Sequence, residues 1–117
     1  MSKMSVNTQA VKKAKDLIKK HQYVIDSDWS ESQPSTDEEN KYLDQHDWDA
    51  YGQWHLALDS GGGDETKEHY NFPYGDFRRV HRSGLIAAKQ RAAQNHYREV
   101  EQAADELLKM LDKTKAD

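Results

Sequence analysis

The 117 residues carry 17 lysines and arginines against 21 aspartates and glutamates, a formal net charge of −4, with six histidines and no cysteine. A chain of this length reads as one domain spanning 1–117, able to bury a core without cross-links. The lack of cysteine excludes disulfides, cysteine-ligated zinc, iron–sulfur clusters and thiol catalysis, and the longest uncharged apolar run, 84–88, is far short of the ~20 residues of a membrane span.

The first predicted element is a helix over 5–21. Val6, Ala10, Ala14, Leu17 and Ile18 recur at helical spacing with lysines opposite, and Ser5 or Asn7 is placed to cap it. A short passage at 23–28 reads as extended, and 29–34 as a turn-rich link. Ser35, with Glu38 three residues later, fits a capping box at the head of a second helix. Asp47 is placed to recap a short helix holding Trp48, Tyr51 and Trp54. The segment 54–58 fits either the end of that helix or a strand, which would pair with 69–72; the run Gly61, Gly62, Gly63 reads as a loop. The aromatic segment 71–77 reads as a turn, with Pro73 withholding a donor and Gly75 free to take a positive φ. Helices follow over 83–95, capped by Ser83, and over 96–113, where Val100, Ala104, Leu107, Leu108 and Leu111 form one stripe. Their short connection predicts an antiparallel hairpin. The fold expected from these elements is mainly α, a compact bundle of four or five helices with at most a small two-stranded β element, and with 1–4 and 114–117 fraying.

Charge is strongly segregated along the chain: +5 over 1–25, −12 over 26–76, +6 over 77–98 and −3 over 99–117. The cheaper expectation is that the acidic middle folds over the basic blocks and neutralises them; the sharper one is that a basic block stays open to an anionic partner. The candidate anion- or partner-binding residues lie in the third block and the turn before it: Tyr74, Phe77, Arg78, Arg79, His81, Arg82, Lys89 and Arg91. The arginines suit phosphates or carboxylates and the aromatics suit stacking, although the acidic total argues against a nucleic-acid module. The six histidines show no His-x-x-x-His spacing, and His46 with Asp47 and Asp49, or His55 with Asp59, would need further ligands from elsewhere. Acids follow the glycine run, which argues against a phosphate loop, and no Gly-x-Ser-x-Gly marks a nucleophile.

The runs Tyr70 to Phe77, Val80 to Ala88 and Arg91 to Gln94, with Trp29-Ser30-Glu31, Gln33-Pro34-Ser35 and Trp54-His55-Leu56, resemble a small family of uncharacterised bacterial proteins over 24–112. That resemblance implies no established activity. More loosely, 66–111 resembles a helical module attached to some phage head-maturation proteases, which implies a structural or interaction role and carries over no catalytic residue. The function expected is therefore that of a cytoplasmic, non-enzymatic protein-interaction or structural accessory protein, with no membrane partner and no cofactor. Nucleic-acid binding through 78–98 is the first alternative and a metal-dependent enzyme built on His and Asp residues the second.

Overall fold

A computed structural model describes residues 4–63 and 65–116. The expectation of a mainly helical bundle is overturned: six α-helices are combined with two small sheets, a mixed α/β arrangement. Strands β1 (Met4–Val6), β3 (His55–Asp59) and β4 (Tyr70–Pro73) form one antiparallel sheet with β3 in the centre, in the order β1-β3-β4. Met4 lies opposite Asp59 and Val6 opposite Ala57, while Ala57 also faces Asn71 across the other edge. Strands β2 (Tyr23–Val24) and β5 (Val80–His81) pair in parallel, Tyr23 against Val80.

Asn7 explains why the first helix starts later than its apolar spacing implies. Its side chain is buried and donates to the carbonyls of Gly52 (2.8 Å) and His55 (3.2 Å) instead of capping the helix. The chain before it is thereby drawn into the sheet, and α1 runs Thr8–Lys19 with Ala10, Ala14, Leu17 and Ile18 buried. The link after β2 contains the single turn α2 (Trp29–Ser32), capped by Asp28. Helix α3 (Thr36–Gln45) opens on the full capping box, Ser35 and Glu38 each bonding the other's amide. Asp47 caps α4 (Trp48–Gly52) through the Ala50 amide at 2.9 Å.

The last two helices, α5 (Arg82–Gln94) and α6 (Arg98–Ala116), pack antiparallel. Leu85, Ala88 and Ala92 of α5 face Val100, Ala104, Leu107, Leu108 and Leu111 of α6 in a common core with α1, β3 and β4. Each fully buried leucine there contributes about 1.5–3 kcal/mol. Ser83 does not cap α5 as expected; His81 holds that position and Ser83 lies in the first turn. Residues 1–3 and 117, where fraying was expected, lie outside the described residues; Met4 is held in β1 and 114–116 continue α6. No helix among the described residues is long and apolar enough to cross a membrane.

Two histidines serve where glycine is usual. His21 and His96 sit at φ 58° and 61°, just beyond the ends of α1 and α5. In each case the two following amides turn back: His21 to Ile18 and Gln22 to Leu17, His96 to Ala93 and Tyr97 to Ala92. This is the Schellman pattern, with a left-handed residue closing the helix.

Candidate functional site

The turn between β4 and β5 is built around Asp76. Its Oδ1 accepts the amides of Arg78 (3.0 Å) and Arg79 (2.7 Å), and its Oδ2 lies 2.9 Å from His81 Nε2. The Asp76 amide donates to the Arg79 carbonyl, which closes the turn, and Phe77 at its tip takes φ 67°. Gly75 is required for close approach, not for the positive φ expected of it: a Cβ there would stand 2.5 Å from the Arg79 carbonyl oxygen and 2.7 Å from the Trp54 ring. Burial alone would raise the Asp76 carboxyl, but the bonds from His81 and from the Arg79 and Arg78 amides hold it below the usual carboxylate range.

The basic segment divides. Arg82 makes a two-bond pair with Asp112 (2.8 and 3.2 Å), and Lys89 pairs with Asp105 at 2.8 Å. Arg91 lies over the Phe72 ring, 5.8 Å from its centre. Tyr74 is wholly buried and donates to the Gln53 carbonyl; burial pushes its hydroxyl well above the ordinary value. His81 is buried against Asp76. That leaves Phe77, Arg78 and Arg79 together at the turn. Both arginines are exposed, and neither has an ion pair among the described residues.

The charges of the chain therefore do not cancel in the expected way. Asp105 and Asp112 of α6, rather than the acidic middle, pair with Lys89 and Arg82 of α5. No ion pair among the described residues joins the acids of 26–75 to the lysines of α1. The two basic blocks instead approach one another. The Val80 amide donates to the Gln22 carbonyl, just beyond α1. Lys13 Nζ lies 5.6 Å from the centre of the Trp54 ring, and that ring meets Phe77 edge-on at 6.0 Å. Phe77 also stacks on Tyr42 at 4.3 Å, and Tyr42 stacks on His46 at 4.1 Å.

Family models, curated proteins and solved structures give no match to this chain.

Beneath the turn is a polar chain that sequence reasoning missed. Ser27 Oγ lies 2.8 Å from His81 Nδ1 and 2.9 Å from Ser83 Oγ. With the His81 bond to Asp76, the order is Ser83, Ser27, His81, Asp76. Ser27 is 54 residues from His81, so no local motif could signal it. Two of the other histidines hydrogen-bond backbone carbonyls. His55 is buried with Nδ1 at 3.0 Å from the Tyr51 carbonyl, and burial lowers its pKa to about 4. His69 Nδ1 lies 2.8 Å from the Asp59 carbonyl. No group of three or more metal-ligating side chains occurs among the described residues.

Proposed function

We propose that this protein is a docking module that holds a short acidic segment of a partner protein on the Arg78–Arg79 turn. The single observation that carries the reading is that these two exposed arginines lack acidic partners while their backbone is braced by Asp76. Bracing matters because a preformed turn loses little entropy on binding. Guanidinium groups bond carboxylates in pairs. Lys12, Lys15 and Lys19 of α1 are also exposed, and the Val80–Gln22 bond ties the end of α1 to the strand that follows the turn.

A polynucleotide suits the same surface less well. Asp26, Asp28 and Glu31 are exposed on the segment that Ser27 anchors beside His81. Repulsion between like charges reaches about 8 Å at physiological salt, and a long phosphate backbone carries its charge over more of this surface than a short segment does. A segment of a few acidic residues avoids that repulsion.

The test is fluorescence anisotropy with a labelled eight-residue glutamate-rich peptide and a labelled single-stranded oligonucleotide, each at low and physiological salt. The expected result is peptide binding that weakens with salt and falls at least about 10-fold in the variant carrying Arg78→Glu and Arg79→Glu, a loss of about 1.4 kcal/mol. Tighter binding of the oligonucleotide, or binding indifferent to the arginines, overturns the reading.

A further inference from the structure

A hydroxyl within reach of an imidazole that is itself oriented by a carboxylate is the arrangement that activates serine nucleophiles. Ser27, His81 and Asp76 meet that description, with both contacts, 2.8 and 2.9 Å, in the productive range. The nitrogens are exchanged relative to the serine-protease arrangement, since Ser27 faces Nδ1 and Asp76 faces Nε2. The chemistry requires only that one ring nitrogen face the nucleophile and the other the carboxylate. We propose that Ser27 is the nucleophile of an acyl-transfer site for small esters, with His81 as its base and Asp76 as the group that positions the ring.

The surroundings supply the other requirements. Asp76 is held ionised, so it accepts the Nε2 proton and leaves Nδ1 free to take one from Ser27. Either hydroxyl of the Ser27–Ser83 contact can be the donor; when Ser27 gives its proton to the ring, Ser83 is the one that donates to Ser27 Oγ. Ser83 belongs to the first turn of the 13-residue helix α5, whose capping position makes no side-chain hydrogen bond. First-turn amides have no acceptor within their own helix, so a developing oxyanion beside Ser27 meets the positive end of α5. The Trp29 ring lies 5.9 Å from the His81 ring and against Gly84. Ile25, two residues before Ser27, is 37% exposed and is the exposed large hydrophobic residue among those described. The Trp29 ring offers an apolar wall for a small acyl group.

In the first half-reaction Ser27 Oγ bonds to the ester carbonyl carbon, its proton passes to His81 Nδ1, and the carbonyl electron pair moves to oxygen. Collapse of that adduct breaks the bond to the alkoxide, which leaves with the proton from Nδ1. Water then repeats the sequence on acyl-Ser27, so ester and water become acid and alcohol with no oxidant or reductant.

The native protein is treated with a fluorophosphonate probe, which bonds its phosphorus to an activated serine oxygen and releases fluoride, and the adduct is located by peptide mass mapping. The expected result is one adduct, on Ser27. It is absent from Ser27→Ala and from wild type unfolded in urea, and forms at least about 100-fold more slowly in His81→Gln whose circular dichroism matches wild type. With p-nitrophenyl acetate, wild type should release a burst of p-nitrophenol stoichiometric with the chain. Failure of native wild type to label at Ser27 overturns the proposal without recourse to any variant. Labelling of folded His81→Gln at the wild-type rate also overturns it, and the relay is then only a fastening between the 25–28 segment and β5.

Discussion

Asp76 joins the arginine turn to the half-buried chain of Ser83, Ser27 and His81, and its two oxygens have separable tasks. Oδ1 holds the Arg78 and Arg79 amides and Oδ2 faces His81. Asp76→Asn keeps an oxygen for the amides but sets an NH2 group against the ring; the lost charge-assisted bond should cost about 1.5–3 kcal/mol. Asp76→Ala also frees two amides, at about 1 kcal/mol each, for a total of about 3–5 kcal/mol. Urea unfolding followed by the fluorescence of the three tryptophans should rank the proteins wild type, then Asn, then Ala. With a slope of about 1–3 kcal/mol per molar urea, the midpoint of Asp76→Asn should fall by about 0.5–3 M.

The same pair of proteins gives a pH signature. The folded-state pKa of Asp76 lies below the usual carboxylate value, so the unfolded chain takes up the proton first as pH falls. The stabilisation is complete above the unfolded value of about 3.9 and is lost as pH drops through the folded value beneath it. The gap between wild type and Asp76→Asn should therefore be widest near neutrality and close at the acid end. Equal stability of Asp76→Asn and Asp76→Ala, or a gap that widens toward acid, would refute the division of labour between the two oxygens.

His21→Gly and His96→Gly should each stabilise the fold by about 0.5–1 kcal/mol, since glycine takes the left-handed closing position without a Cβ penalty; thermal denaturation reads this as a small rise in Tm. Leu107→Ala, at a wholly buried position, should cost about 2–5 kcal/mol in urea titration. His55, whose pKa burial lowers to about 4, should remain neutral by NMR until near that pH. Because its folded value lies under the unfolded one of about 6.5, its share of the stability is intact above about 6.5 and disappears as pH falls through about 4.

What was legible in the sequence follows the range over which each signal acts. The capping box at Ser35 and Glu38 and the α6 stripe from Val100 to Leu111 depend on neighbours a few residues apart, and both are present. Strand β1 was hidden because Val6 also continues the apolar spacing of α1 and 1–4 read as a fraying end; only the long-range bonds from Asn7 to Gly52 and His55 separate strand from helix. The helix ends at His21 and His96 lacked the expected glycine, so their left-handed turns left no compositional mark. Of the candidate residues, Phe77, Arg78 and Arg79 lie together at one turn, while Lys89 and Arg91 are engaged elsewhere, with Asp105 and the Phe72 ring.

The charge pattern misled for a topological reason. Summing charge by block treats any acid as able to reach any base, and the large acidic excess of the middle then seems sufficient to cover both basic blocks. Pairing is decided by which elements touch. The short α5–α6 connection puts Arg82 opposite Asp112 and Lys89 opposite Asp105, 30 and 16 residues apart, so α5 is neutralised from its C-terminal side. The parallel pairing of β2 with β5 brings the end of α1 next to the arginine turn, so like charges converge. At the turn the cost of that convergence is reduced by the fixed carboxylate of Asp76, which takes up the Arg78 and Arg79 amides and leaves the guanidinium groups outward. Positive charge at this place is thus a consequence of chain topology held in shape by one half-buried acid, and removing that acid should loosen the arginine turn and the Ser27–His81 contact together.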